Sequence, residues 1–268
     1  MTVILAIKAD DGIVLAADRQ VTYTLGGNIN LSFKDEKIVL IGKNTIMGLS
    51  GDTGNTGQLV ALLKENSKNL DKDLFKALGA LKKKIGKIGL DCSCLLVGMI
   101  NGHPEVVELD TASELDENNK LVEEAEIDII QEQRITHVGD TIFIFGPLNL
   151  VAQEYIEYVK RMEKRFDVWM AAMLAYITIK LISQTGSLTI GNGVSIWLVK
   201  NDGEIKEVSQ KDLDDEFETG YQRFKDEIIE AIERAMSQIK VFYGGTEEEI
   251  KGDIRRRLRD PSRSEVRE

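Results

Sequence analysis

The sequence predicts an α+β protein of four layers, in which two antiparallel β-sheets are stacked face to face and helices cover the outside of each sheet (αββα). Two observations predict this fold. Short apolar runs joined by turn-forming residues recur along the chain, which is typical of hairpins and therefore of antiparallel sheets. Two helical pairs separate three groups of strands, and each pair needs an apolar sheet face to cover.

The first fifty residues are predicted to contain only strands and turns. Thr2–Ile7 and Ile13–Ala17 are apolar runs separated by turn chemistry, which predicts a first hairpin. After a loop around Gly26–Asn28, Lys37–Ile41 and Thr45–Leu49 predict a second hairpin.

Two helices and a further hairpin follow in the predicted order. Leucines recur on one side of 56–69 and of 72–87, which is the spacing of amphipathic helices. Strands resume at Ser93–Met99 and Glu105–Leu109. The stretch 111–133 is acidic and weakly patterned, and we interpret it as an insertion into the domain.

A second helical pair precedes the last strands. Thr141–Phe145 is predicted to be a buried strand, and apolar residues then recur at helical spacing from 151 to 162. Asp167 is the predicted N-cap of a more apolar helix. A final hairpin is predicted over Val194–Val199 and Glu204–Val208.

The C-terminal part differs in composition from the rest of the chain. We divide the chain into a domain over 1–209 and a helical extension over 210–268, in which apolar residues repeat every three or four positions on charged helices. An amphipathic helix needs a surface to pack on. Either the chain's own domain or a partner provides that surface.

Composition excludes several classes of function. A chain of 268 residues has room for one substantial core, and its formal charge of −11 argues against nucleic acid as a partner. The longest apolar stretch, Val168–Ile182, is too short to span a bilayer, and no secretory signal precedes the first strand. We therefore expect a cytoplasmic protein that does not contact membranes.

The two cysteines, Cys92 and Cys94, are predicted to be structural thiols. They lie two positions apart in a predicted strand, so both point to one face and would need distortion to form a disulfide. A metal site would require further ligands, and the chain has no second cysteine pair. We expect neither a metal nor a cofactor.

Thr2 becomes the first residue if Met1 is removed, and an N-terminal threonine can supply both a nucleophile and a base. Its α-amine, with a usual pKa near ~8, can accept the hydroxyl proton directly or through water. Such a site also needs a cation that favours the alkoxide, an anion that holds the cation, and donors for an oxyanion.

Thr2–Asp18 resembles the start of the proteasome β-type subunits and their bacterial relatives, which belong to the N-terminal nucleophile (Ntn) hydrolase superfamily. The resemblance continues through Arg19 and Thr22, then through the run that begins at Lys37 and the turn Leu49–Asp52. It spans residues 2 to about 209 and implies the αββα Ntn fold in a divergent, archaeal proteasome-like protein.

The resemblance assigns a role to each matching position. Thr2 would be the nucleophile, Lys37 would lower the pKa of its hydroxyl, and Asp18 would orient and neutralise Lys37. The backbone N–H of Gly51 would bind the oxyanion. The remaining assignments concern the substrate: Thr22 and Gly51 would bind its backbone as an added strand, and Val21 and Leu49 would flank the first specificity pocket.

The sequence departs from the family pattern in three places. A Gly-Ser-Gly-type turn with a helper serine is replaced by Phe145–Leu148. The second helper pair has lost its aspartate, which leaves Ser187 or Thr189 to act in its place. The loop between Thr22 and Lys37 is longer than usual, so Lys37 is preferred over Lys34 because it begins the strand.

The resulting hypothesis is a threonine peptidase or amidohydrolase that forms an acyl-enzyme on Thr2 and acts on a peptide or protein. A peptide ligase with the same nucleophile, similar to the connectases, is one alternative, and a non-catalytic assembly protein of the same fold is another. The resemblance also implies a homo-oligomer, although the insertion and the C-terminal helices argue against assuming stacked rings. Taken singly, Asp18–Arg19 is also explained as a turn ion pair and Lys37 as a solvated lysine.

Overall fold

The computed structural model describes residues 3–25, 29–51, 53–86, 92–110, 142–145, 149–163, 165–184, 193–228 and 230. The strands in these ranges are β1 Ile4–Ala9, β2 Gly12–Asp18, β3 Gln20–Leu25, β4 Ile29–Lys34, β5 Ile38–Leu40, β6 Ile46–Gly51, β7 Cys92–Ile100, β8 His103–Asp110, β9 Ile142–Phe145, β10 Val194–Lys200 and β11 Ile205–Glu207. The helices are α1 Thr53–Glu65, α2 Ser67–Leu70, α3 Leu74–Gly86, α4 Asn149–Met162 and α5 Val168–Gln184. A sixth helix, α6, begins at Gln210–Asp212, is π-helical over Leu213–Phe217 and continues through 228.

The strands form two antiparallel sheets and a separate ribbon. One sheet has the order β11-β10-β2-β1-β9, and the other has the order β5-β6-β7-β8. The ribbon consists of β3 and β4. The two sheets stack on each other, and helices pack on the outer face of each, which confirms the predicted αββα sandwich.

The side chains of β1 show how the layers are built. Val3, Leu5 and Ile7 join the core between the five-stranded sheet and its helices. Ile4 and Ala6 join the core between the two sheets. Successive side chains of a strand point to opposite faces, so a strand that is apolar at every position is buried on both sides.

The direction of α5 fixes which end of the sandwich it reaches. Its first turn lies at the β1–β2 turn, where Asp11 Oδ1 accepts a hydrogen bond from the Val168 N–H at 2.8 Å. Asp167 Oδ1 accepts from the Met170 N–H at 3.0 Å, which confirms the predicted N-cap. Since a helix rises ~1.5 Å per residue, α5 carries the chain along the sheet towards the opposite edge.

The clearest difference from the sequence interpretation lies between Asp18 and Lys37. A loop was expected there around Gly26–Asn28. Those three residues lie outside the described ones, and the residues on either side of them form strands β3 and β4, which pair from Gln20↔Lys34 to Leu25↔Ile29. The β3 sequence is rich in β-branched and aromatic residues, which favours a strand, but it has too few apolar positions to show a buried face. Predicted bounds elsewhere differ mostly by a few residues, and the first predicted helix is divided into α1 and α2 at Asn66.

The described part of the C-terminal extension packs on its own domain. Phe217 and Tyr221 are completely buried. The Phe217 ring makes edge contacts with Trp169 at 5.0 Å and with Tyr176 at 5.8 Å between ring centroids. The start of α6 therefore covers α5, while the predicted division at residue 209 stays a prediction.

Three further predictions concern the chain outside the site. Cys94 is buried and its Sγ donates to the Leu109 carbonyl at 3.6 Å, as expected of a structural thiol. The acidic stretch 111–133 lies outside the described residues. Among the residues that the structure describes, no helix has the length and apolar character needed to cross a membrane.

Candidate active site

Several strand ends meet at one edge of the sandwich. β2 ends there at Asp18, which lies opposite the first residue of β10, Val194. β1 begins at the same edge, since Ile4 is paired with Ala17. The edge is therefore where the chain start, the end of β2 and the connection into β10 come together.

A buried ion pair occupies this edge. Lys37 Nζ lies 2.8 Å from Asp18 Oδ1 and 2.9 Å from Oδ2. The side chain of Lys37 is 5% exposed and that of Asp18 is 0% exposed. This geometry excludes the interpretation of Lys37 as a solvated lysine and pairs Asp18 with Lys37 rather than with Arg19.

Asp18 also binds the beginning of β1. Its Oδ1 accepts a hydrogen bond from the Val3 N–H at 2.9 Å, and its Oδ2 accepts from the Gln20 N–H at 3.1 Å. The Asp18 N–H in turn donates to the Val3 carbonyl at 3.2 Å. Thr2 itself lies outside the described residues, but it is bonded to Val3, and consecutive Cα atoms are ~3.8 Å apart.

The environment of Lys37 perturbs its protonation. Burial lowers the pKa of Lys37 from its ordinary 10.5, and the charge of Asp18 and its hydrogen bond oppose this effect. The lysine thus combines a lowered pKa with a fixed carboxylate partner, an arrangement more common in functional sites than on surfaces.

Strand β6 is held tightly against β1 beside this pair. The Leu49 N–H donates to the Lys37 carbonyl at 2.8 Å, which extends the β5–β6 ladder by one residue. A Cβ atom at Gly48 would lie only 2.7 Å from Ile4 Cγ2, so the two sheets approach closely because this position is glycine. Leu49 is half-buried, and Gly51 ends β6 opposite Cys92.

For the other predicted site residues the structure describes only the backbone or nothing. Val21 and Thr22 lie in β3 and pair with Phe33 and Ser32. The structure describes the backbone of these residues and not their side chains. Ser187 lies in the undescribed connection 185–192. The described chain resumes at Gly193, whose carbonyl accepts from the Arg19 N–H at 3.0 Å beside Asp18.

The sequence interpretation missed a second ion pair next to the first. Arg19 pairs with Glu36, and these residues are the chain neighbours of Asp18 and Lys37. The Asp35 N–H donates to the Arg19 carbonyl at 2.9 Å between them. The sequence signal was the opposite charges at adjacent positions, Asp18–Arg19 in one segment and Glu36–Lys37 in the other. Their proximity could not be predicted because the β3–β4 ribbon that brings the two segments together was not recognised.

Comparison with known proteins supports the same fold. The family model described as proteasome subunit matches residues 2–73. Among solved structures, Anbu (ancestral beta-subunit) from Yersinia bercovieri superposes with a TM-score of 0.61 at 14% identity, covering 86% of this chain and 96% of that chain. Anbu from Hyphomicrobium sp. strain MC1 gives a TM-score of 0.60 at 15% identity, with 86% and 96% covered. No curated protein gives a significant match.

The class that the structure defines is an αββα sandwich with a buried ion pair at one edge of its sheets, and it shares this fold with the Anbu structures. The likeness to the proteasome-subunit family is confined to residues 2–73, from β1 to α2, and the Anbu structures share the fold of the chain.

Proposed function

We propose that the protein is a threonine-type Ntn amidohydrolase that cleaves peptide bonds through an acyl-enzyme on Thr2, with Met1 removed. The observation that carries this proposal is the buried Lys37–Asp18 pair, which is hydrogen-bonded to Val3, the residue after Thr2. A buried ammonium held at the chain start is what an N-terminal hydroxyl nucleophile needs to become reactive.

The chemistry would proceed as follows. The Thr2 hydroxyl oxygen forms a bond to the substrate carbonyl carbon while its proton moves to the Thr2 α-amine. The ammonium of Lys37 favours the alkoxide, and Asp18 keeps that ammonium in place. Collapse of the tetrahedral intermediate breaks the carbon–nitrogen bond, the leaving amine takes the proton, and water then hydrolyses the ester to regenerate Thr2.

The oxyanion and the substrate would be bound along β6 and β3. The N–H of Gly51 at the end of β6 would donate to the oxyanion, as preorganised backbone donors do in acyl transfer. An extended peptide would add as a strand beside Thr22 and Gly51, with main-chain hydrogen bonds giving affinity. Leu49 and Val21 would flank the first pocket and favour an apolar or medium-sized side chain, and Ser187 would act as the helper hydroxyl.

The proposal is tested by intact mass spectrometry of the purified protein before and after incubation with a peptide epoxyketone. This reagent closes a ring with both the hydroxyl and the α-amine of an N-terminal threonine, so it reports on both groups at once. We expect loss of the Met1 mass and one adduct, which is absent in Thr2→Ala and retained in Thr2→Ser. A retained Met1 with no adduct would favour the non-catalytic assembly protein.

Hydrolysis and ligation are separated in a second assay with the same protein. A peptide substrate is incubated with and without an added amine-bearing peptide, and the products are identified by mass spectrometry. Free acid product supports the hydrolase, whereas predominant transfer to the added amine supports the ligase alternative.

A further inference from the structure

We propose that Arg19 and Glu36 form a positioning ion pair that closes the neck of the β3–β4 ribbon and thereby holds Lys37 on Asp18. The inference rests on the proposed function, because it names residues that act on the reactive group through the Lys37–Asp18 pair. Neither residue is assigned a catalytic role, since neither is placed in contact with Thr2 or with substrate.

The neck is the base of the ribbon, where side chains of the segment before β3 contact side chains of the segment before β5. Asp18 and Lys37 form the buried link. One residue further out on each side, Arg19 pairs with Glu36. The ladder then continues from Gln20↔Lys34 into the ribbon. Since β3 and β4 pair only with each other among the described strands, any movement of the ribbon acts on its neck.

The Arg19–Glu36 pair is more exposed to solvent than the Lys37–Asp18 pair. The Arg19 side chain is 19% exposed and Glu36 is 45% exposed, compared with 5% for Lys37. Arg19 is itself fixed, since its N–H donates to the Gly193 carbonyl and its Cδ lies next to Gly193. The pair therefore joins the start of β10, the end of β2 and the segment before β5.

Loss of this pair is expected to loosen the lysine rather than the whole domain. Lys37 has four rotatable side-chain bonds, and its ammonium holds one position only while its backbone is fixed relative to Asp18. The Asp35–Arg19 backbone bond would remain in a variant, but the ion pair between the Arg19 and Glu36 side chains would not. A misplacement of about 1 Å in a catalytic group can reduce a rate about a hundredfold.

The test compares four proteins in their reaction with the epoxyketone: wild type, Arg19→Met, Glu36→Gln and the charge-exchanged double variant Arg19→Glu/Glu36→Arg. We expect the maximal rate of adduct formation to fall by about tenfold or more in both single variants, because positioning is lost. The epoxyketone concentration that gives half the maximal rate should be unchanged. The charge-exchanged variant should recover most of the maximal rate. Glu204→Gln, which removes a carboxylate from the exposed Lys200–Glu204 pair, is the matched control and should react like wild type.

A second readout does not depend on Thr2. Acetylation of Lys37 by sulfo-N-hydroxysuccinimide acetate is followed by peptide mass spectrometry, with the exposed Lys43 as the internal reference. Arg19→Met should increase acetylation of Lys37 relative to Lys43 by about tenfold, because local opening exposes buried groups. The charge-exchanged variant should return it towards wild type.

The outcomes separate the two proposals. If wild type forms no adduct, the proposed function fails, and the acetylation result alone decides the role of the Arg19–Glu36 pair. If wild type reacts and the single variants react equally fast, the positioning role is overturned while the proposed function stands. A fall in rate that the exchanged charges do not reverse also overturns the assignment to an ion pair.

Discussion

Asp18 Oδ1 accepts hydrogen bonds from both Lys37 Nζ at 2.8 Å and the Val3 N–H at 2.9 Å, so one carboxylate oxygen joins the buried lysine to the start of the chain. A buried ion pair alone is weak evidence for stability or for function. In the proposed mechanism the pair can act on Thr2, because Asp18 is hydrogen-bonded to Val3, the residue after Thr2.

The first prediction concerns the stability of the pair. Lys37→Met leaves the carboxylate of Asp18 buried without a counter-charge, and we expect the free energy of unfolding to fall by about 3–5 kcal/mol. The double variant Asp18→Asn/Lys37→Met removes both charges and keeps an oxygen that accepts from Val3, so it should recover most of that loss. Denaturant unfolding of the two variants measures the difference, and equal losses would contradict the account.

The second prediction concerns stability at alkaline pH. Because burial lowers the pKa of Lys37 below 10.5 in the folded state, the unfolded chain holds the proton more tightly. Below the folded pKa, Lys37 is protonated in both the folded and the unfolded state, and the full free-energy cost of burying the ammonium reduces the stability of the fold. As the pH rises through the folded pKa towards 10.5, the unfolding free energy of wild type should increase relative to that of Asp18→Asn/Lys37→Met. Denaturant unfolding over this pH range tests it, and a decrease would show that the pKa is raised instead.

The third prediction concerns the approach of the two sheets. Gly48→Ala places a Cβ atom 2.7 Å from Ile4 Cγ2, and we expect a loss of about 1–3 kcal/mol as β6 moves away from β1. Gly79→Ala is the matched control, since a Cβ there meets nothing within 4 Å in the interior of α3. It should stabilise the protein by about 0.5–1 kcal/mol. Thermal or denaturant unfolding compares the two, and similar effects would refute the close approach.

The fourth prediction concerns the attachment of α6 to α5. Glu218 accepts from the Tyr176 hydroxyl at 2.6 Å, from Gln222 at 2.7 Å and pairs with Lys180 at 3.0 Å. Partial burial would raise the pKa of Glu218, but these three partners outweigh it and lower the pKa below the ordinary 4.5. Glu218→Gln should therefore cost about 1 kcal/mol at neutral pH.

The sign of the Glu218 effect with pH follows from that lowered pKa. The stabilisation by the carboxylate is complete above 4.5 and is lost as the pH falls through the folded pKa, so wild type and Glu218→Gln should converge in acid. Glu216→Gln, at an exposed position of the same helix, is the control and should change little at any pH. A difference that persists unchanged into acid would contradict the role of the carboxylate.

The fold was predictable because burial on both faces leaves a strong pattern. β1 and β2 are apolar at nearly every position, and such strands need a layer on each side. The four-layer sandwich was predicted from the hairpins and from the two helical pairs, and the structure shows that strands β1 and β2 are buried on both faces as that fold requires. The β3–β4 ribbon was not predictable in the same way, because it forms a sheet of its own and shows no periodic apolar face.

The site was predictable only in part. Lys37 was preferred over Lys34 because it begins the predicted strand, and the structure pairs Lys37 with Asp18 while Lys34 lies in the β4 ladder opposite Gln20. The Arg19–Glu36 pair could not be inferred, since the charges are seventeen positions apart and the ribbon that brings them together was unrecognised. Roles for Thr2, Gly51 and Ser187 stay predictions.

The most direct test of the central claim is the second-order rate constant of adduct formation at Thr2 in wild type, Asp18→Asn/Lys37→Met and the surface control Lys200→Met. Unfolding curves of each protein ensure that only folded molecules are compared. We predict that wild type and Lys200→Met react alike and that the double variant reacts at least about a hundredfold more slowly, since in the proposed mechanism the Lys37 ammonium activates Thr2. A folded double variant that reacts as fast as wild type would contradict it, because Thr2 would then react without the buried pair.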